Sequence, residues 1–424
     1  MILVSEASRL LGRCLIPASK SHTIRAVLLA TLAHGASIIR NPLESEDAQA
    51  ALTASRAFRA EVETTYEEGA WRIEGIGGLV RPPDDVINIA NSGTSCRLAI
   101  GAASLGGGYS VFTGDASVRS RPMEPLLAAL RNLGAEAFST RGNGKLPVVV
   151  RGPLRGGRTA VEGFSSQFLS SLLLCTPLSA EGAEIHPVDL RERPYVEMTL
   201  LWLDRLGIRY ERDGYASFRV PGGQHYEGFD CLVPGDFSTA TFALCAAAMT
   251  DSQVTLQGLD MQDCQADKAV VAYLRRMGAD IAINDEGIHV RGGELRGCEL
   301  DLCDTPDALP ALAVVGCVAA GETRLVNVPQ ARVKETDRIA AMRSELKKLG
   351  ADIEEREDGL VVRQSALQGG LVEGYGDHRI VMSLAIAGLV AKQPVRITTA
   401  EAVNVSYPRF LEDFQRLGAA LRLE

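Results

Sequence analysis

Apolar residues recur at helical spacing through Pro125-Leu126-Leu127-Ala128-Ala129-Leu130-Arg131-Asn132-Leu133, and the run breaks at Gly134. A glycine in that place suits the residue after a helix C-cap, where the chain turns left-handed. The same step returns at Leu206-Gly207-Ile208, Met277-Gly278-Ala279, Leu349-Gly350-Ala351 and Leu417-Gly418-Ala419. A degenerate copy, Phe58-Arg59-Ala60, lacks the glycine. The copies lie roughly 70 residues apart, so about six units fill the chain. β-like stretches follow, as in Ala351–Glu354 and Leu360–Arg363. Each unit therefore predicts strands plus two helices, one of them ending at the glycine step. Ser238–Met249 and Asp307–Ala319 are apolar nearly all round and predict buried helices. Six α/β units group most simply as three plus three, giving two lobes with a ligand cleft between them.

A length of 424 residues independently calls for at least two domains. With 46% hydrophobic and 23% charged residues the chain reads as globular rather than disordered or membrane-spanning. Aromatics are only 5%, so small aliphatics must fill the helix and sheet layers. The net charge of -9 argues against nucleic acid as a partner but leaves room for a locally positive cleft. The nine cysteines are scattered, without a C-x-x-C pair or metal-ligand spacing. They predict reduced thiols in a cytoplasmic setting, with no metal and no cofactor. The N-terminus shows no secretory signal, and Ala308–Ala320, interrupted by Pro310, is too short to span a bilayer.

Six segments can carry chemistry. Pro17-Ala18-Ser19-Lys20-Ser21-His22-Thr23-Ile24-Arg25 leads into a helix start that offers backbone N–H groups, a hydroxyl and two cations to an anion. Asn91-Ser92-Gly93-Thr94-Ser95-Cys96-Arg97 sets a glycine in a hydroxyl-rich turn, where an anion can come close to the backbone. Arg119-Ser120-Arg121-Pro122 supplies guanidinium forks for carboxylate or phosphate. Ser165-Ser166-Gln167 opens an apolar helix. Arg332-Val333-Lys334-Glu335-Thr336-Asp337-Arg338 mixes both charges, and Asp377-His378-Arg379 precedes another apolar helix. Asp307 stands alone before a third, as an N-cap or as a base in a desolvated cleft. Each alone is also what a solvated turn or an ordinary cap looks like. Together they describe a metal-free binder of two anions, with no Ser-His-Asp triad and no dinucleotide fingerprint in competition.

In this order, over the whole chain, the segments resemble the 5-enolpyruvylshikimate-3-phosphate synthase family. The shared pattern is P-x-S-K-S-x-x-x-R, N-x-G-T, R-P, S-S-Q-F, R-V-K-E-x-D-R, D-H-R and S-Y-P-x-F. The resemblance implies an α/β fold, a two-lobed inside-out α/β barrel of six βαβαββ-type repeats, three per lobe. Residues 19–228 would form one lobe, and 1–18 with 229–424 the other, with the active site in the cleft. It implies a monomeric enzyme that moves the enolpyruvyl group of phosphoenolpyruvate to the 5-hydroxyl of shikimate 3-phosphate and releases phosphate. Lys20, Gly93, Arg121, Gln167, Arg338 and Arg379 match positions that hold phosphoenolpyruvate. Ser21, Arg25, Ser165, Ser166, Tyr195 and Lys334 match positions that hold shikimate 3-phosphate. Asp307, Glu335 and Lys20 match the groups that move protons.

Two departures bear on the acceptor and the donor. Glu192, in Leu190-Arg191-Glu192-Arg193-Pro194-Tyr195, stands where the family usually has a phosphate-binding serine. A carboxylate there would repel phosphate unless Arg191 or Arg193 neutralises it. Val405 stands where many members have a lysine that contacts phosphoenolpyruvate or the departing phosphate. A second acceptor class therefore stays open, a hydroxylated ring carboxylate without phosphate. A UDP-sugar acceptor and a non-catalytic anion-binding homologue are further readings, against which stand Ser21 and the retained Lys20, Asp307 and Glu335.

Overall fold

The computed structural model describes all 424 residues, which form two units, Ala18–Val233 and Met1–Pro17 with Pro234–Glu424. The first holds three four-stranded sheets and the second another three. All six share one plan, a parallel pair followed by two antiparallel pairings. In the sheet of Gly157–Glu162, Ala183–Val188, Ser217–Val220 and Glu211–Asp213, the first two strands are parallel and the rest antiparallel.

The βαβαββ repeat expected from the sequence is read directly in that stretch. Gly157–Glu162 leads through the helix Ser166–Cys175 to Ala183–Val188, then through the helix Arg193–Arg205 to the closing hairpin. The last repeat borrows its final strand from the chain start, where Leu3–Glu6 pairs with both Val395–Ile397 and Ala420–Leu423.

The unit boundary differs from the expected 228/229. Asp230–Leu232 would open the fourth repeat by sequence order, yet it pairs in parallel with Ala36–Arg40 and stays with the first unit. Conversely Leu11–Leu15, first strand of the first repeat, pairs with Gln253–Gln257 in the second unit. The chain therefore leaves the second unit after Pro17 and returns at Pro234, one residue before and five residues after the expected crossings at 18/19 and 228/229.

The recurrent glycine step has one geometry. Gly134, Gly207, Gly278, Gly350 and Gly418 all have positive φ, between 69° and 102°. After each, the next amide reaches back five residues, as Ala135 N–H to the Leu130 carbonyl at 3.0 Å and Ala351 N–H to Leu346 at 3.0 Å. This closes the helix end and satisfies carbonyls the helix leaves over. The degenerate copy keeps the geometry without the glycine: Arg59 has φ 78°, and Ala60 N–H meets the Ser55 carbonyl at 3.0 Å.

The apolar segments are the central helices. Phe237–Met249 and Leu309–Val318 are buried along nearly their whole lengths and fill the core of the second unit with Phe242, Leu312 and Val315. In the first unit the helix Gly93–Ala103 packs closely on Ser166–Cys175. A Cβ on Gly101 would sit 2.2 Å from Ser171 Oγ, so only glycine permits this approach. Ser171 Oγ also donates to the Arg97 carbonyl at 2.7 Å. The contact fixes two helices whose N-termini both carry candidate residues.

Candidate active site

Most candidates of the first unit sit at or beside a helix start; Arg25 lies in the second turn of its helix, and Arg121 follows the end of the short helix Ala116–Ser120. Ser19 caps Lys20–Leu32 by accepting from His22 N–H at 3.5 Å, which places Lys20 and Ser21 in the first turn. Lys20 Nζ lies 2.9 Å from Asp47 Oδ2, both largely buried. Arg25 is 1% exposed. Its Nε donates to Thr199 Oγ1 at 3.0 Å, and its two terminal nitrogens donate to the Ser21 and Tyr195 carbonyls at 3.2 and 3.0 Å. One guanidinium thereby ties together the helices carrying Ser21 and Tyr195.

Ser165 caps Ser166–Cys175, accepting from Gln167 N–H at 3.4 Å. Gln167 is held at both ends. Its Oε1 accepts from Arg97 Nη1 at 2.5 Å, and its Nε2 donates to Thr94 Oγ1 at 3.0 Å. Ser92 caps the helix that begins at Gly93. A Cβ on Gly93 would lie 2.6 Å from Arg121 Nη1 and 3.4 Å from Arg97 Nη1, so the missing side chain lets two guanidinium groups close on the helix start. Arg121 is steadied by Asn91 Oδ1 at 3.1 Å and Ser117 Oγ at 3.0 Å.

The charged run of the second unit is not a solvated face. Arg338, 1% exposed, is the hub. Its Nε donates to Asp377 Oδ2 at 2.8 Å, Nη1 to Asp307 Oδ1 at 2.7 Å, and Nη2 to Asp377 Oδ1 at 3.2 Å and to Glu335. Arg379 Nη2 lies 3.0 Å from the other oxygen of Asp307. Asp377 also caps the helix His378–Gly388 through Arg379 N–H at 2.9 Å. Asp307, in the short turn Pro306–Ala308, makes no cap bond and is gripped by two arginines instead.

Burial favours the neutral form of Asp307, but Arg379, Lys334 and Arg338 outweigh it and hold the carboxyl well below the usual carboxylate range. The same carboxylates keep Arg338 charged against its own desolvation. An anionic ligand that draws Arg338 and Arg379 onto itself would relax this hold and make Asp307 a stronger base.

Three participants were not singled out from the sequence. Arg97 and Asp377 stood inside recognised segments, beside the glycine turn and the arginine they now orient. Asp47, partner of Lys20, carried no signal beyond its place in the first turn of the helix Glu46–Ala57. Glu192 is 2% exposed and bonds to Ser166, accepting from its Oγ at 2.9 Å and its N–H at 3.3 Å. Arg191 Nε lies 3.5 Å from Asp189, and Arg193 lies over the Tyr215 ring. Val405 is buried at the end of the turn Ala400–Val405.

These groups lie in a chain matched along residues 4–414 by the model of EPSP synthase (3-phosphoshikimate 1-carboxyvinyltransferase). The chain belongs to that family. It is 52% identical over 419 residues to the 3-phosphoshikimate 1-carboxyvinyltransferase of Acetivibrio thermocellus, covering 99% of both chains. It is 50% identical to that of Ruminiclostridium cellulolyticum over 423 residues, the full length of both. Among solved structures, an EPSP synthase from Acinetobacter baumannii superposes with TM-score 0.84 at 30% identity, covering 99% of each chain. The α/β fold of repeated βαβαββ units expected from the sequence is thus the fold of the family. No helix is long and apolar enough to cross a membrane.

Proposed function

We propose that this member of the family transfers the carboxyvinyl group of phosphoenolpyruvate to the 5-hydroxyl of shikimate 3-phosphate and releases phosphate. Full-length similarity to two carboxyvinyltransferases at 52% and 50% identity carries the reading. Both names specify a phosphorylated acceptor, which disfavours the unphosphorylated one that Glu192 had left open.

In this reading Lys20, Gly93, Arg121, Gln167, Arg338 and Arg379 hold the donor, and Ser21, Arg25, Ser165, Ser166, Tyr195 and Lys334 hold the acceptor. Donor binding recruits Arg338 and Arg379, which raises the basicity of Asp307. Asp307 takes the proton of the 5-hydroxyl as its oxygen attacks C2 of phosphoenolpyruvate. Glu335, assisted by Lys20, delivers a proton to C3, giving a tetrahedral adduct with a methyl group. Loss of a C3 proton then expels phosphate by C–O cleavage and restores the double bond. Charge-assisted bonds to both anions fix the reacting atoms, and no redox step is needed. We read the active species as a monomer, which light scattering behind a sizing column tests.

Initial rates with shikimate 3-phosphate and with shikimate, each at saturating phosphoenolpyruvate, test the acceptor. The reading expects turnover with the phosphorylated acceptor and far less with the other. Turnover confined to shikimate overturns it.

A further inference from the structure

The side chain of Glu192 is placed unusually for a helix-start residue. Its backbone is left-handed, with φ 53°, and it occupies the N-cap position of Arg193–Arg205 without capping that helix. Instead its carboxylate crosses to the first residue of Ser166–Cys175 and takes two donors there, the Ser166 N–H at 3.3 Å and the Ser166 Oγ–H at 2.9 Å. Glu192 is 2% exposed, and a left-handed residue other than glycine, asparagine or aspartate is uncommon. Strain and desolvation are both accepted to put a negative group on this helix start.

The donors Glu192 takes are ones that an anionic ligand at this helix start needs. Ser165 and Ser166 belong to the acceptor-binding set proposed above, and the following inference rests on that reading. We infer that Glu192 is a specificity-determining residue, an internal anion that occupies the acceptor-phosphate seat and must be displaced before a phosphate can bind. Two anions cannot share the same N–H and O–H donors, and their mutual repulsion is weakly screened at a buried position.

The consequence differs between ligands. Inorganic phosphate or sulfate gains little beyond the Ser166 donors, so Glu192 excludes it. The full acceptor carries a carboxylate and ring hydroxyls as well, and their contacts elsewhere offset the displacement. Because the reaction itself releases phosphate, such a residue keeps product anion out of the acceptor seat.

The test uses the full chain with Glu192→Gln, which keeps shape and loses charge, and Glu192→Asn, which tolerates the left-handed backbone. Product is quantified by chromatography, with shikimate 3-phosphate varied against fixed sulfate or inorganic phosphate. Circular dichroism establishes folding. The KM for shikimate 3-phosphate should fall by roughly tenfold in both variants, with kcat changing less, as like-charge repulsion is removed. The inhibition constant of sulfate against the acceptor should fall by a similar factor. Wild-type turnover combined with unchanged or raised KM and inhibition constants in both folded variants overturns the inference. A folded wild type that makes no product would instead remove the functional reading on which it rests.

Discussion

Replacing Asp377 by asparagine tests whether the buried Arg338 network is held as described. Asp377 Oδ1 accepts from Arg379 N–H at 2.9 Å and Arg338 Nη2 at 3.2 Å, and Oδ2 accepts from Arg338 Nε at 2.8 Å. Asparagine keeps one oxygen for the helix cap and for Nη2, and it remains a good N-cap. It then sets an amide NH2 against the Nε–H of Arg338. One charge-assisted hydrogen bond is lost, about 1.5–3 kcal/mol, and two donors face each other. Arg338 retains Asp307 and Glu335, so its charge is not stranded and the loss stays below the roughly 3–5 kcal/mol of a fully broken buried pair. The expected destabilisation is therefore about 2–3 kcal/mol. Urea unfolding at pH 7, followed by circular dichroism with the slope compared between proteins, measures it. Release of Arg338 from its anchor should also raise the KM for phosphoenolpyruvate several-fold. A loss under about 0.5 kcal/mol, the range of an ordinary surface change, would refute the reasoning.

Three further outcomes follow from the geometry. Gly93→Ala puts a methyl 2.6 Å from Arg121 Nη1, which must swing away, so the KM for phosphoenolpyruvate should rise with the fold intact; an unchanged KM would separate Gly93 from the donor site. Asp307 is depressed in the folded state, so its stabilising contribution is fully present above the unfolded value of about 4 and is lost as pH falls below it. Urea midpoints between pH 7 and 3 should drop for the wild type, and less steeply for Asp307→Asn, which should also lose about 10²–10⁴-fold in kcat. Arg59→Gly relieves a left-handed residue at a helix end and should stabilise the protein by about 1 kcal/mol, against which its exposed pair with Asp84 weighs little.

Much of the fold was legible because the repeat punishes error. A glycine after each Leu or Met marks a left-handed turn that other residues resist, and Arg59 shows the geometry persisting where the marker is lost. Helix starts at Ser19, Ser92, Ser165 and Asp377 were legible for the same local reason. The edge-strand pairing was not, since Asp230–Leu232 is short and joins Ala36–Arg40, a strand of the first repeat distant in sequence, rather than either repeat beside it in the chain. At the site, the basic residues stood out by type and position. Asp47 as partner of Lys20 did not, because it depends on contacts between elements distant in sequence. The bonding of Glu192 to Ser166 was hidden too, because it joins residues 26 apart in sequence through a left-handed backbone that nothing in the local pattern announces.

The central claim is tested most directly by mass spectrometry of purified wild-type protein incubated with phosphoenolpyruvate and shikimate 3-phosphate in D2O. Addition and elimination through a methyl-bearing adduct predicts the enolpyruvyl ether of shikimate 3-phosphate, one phosphate per product molecule, and deuterium at its vinyl carbon. Folded protein that yields neither ether nor phosphate contradicts the transfer, and ether free of deuterium contradicts protonation at C3.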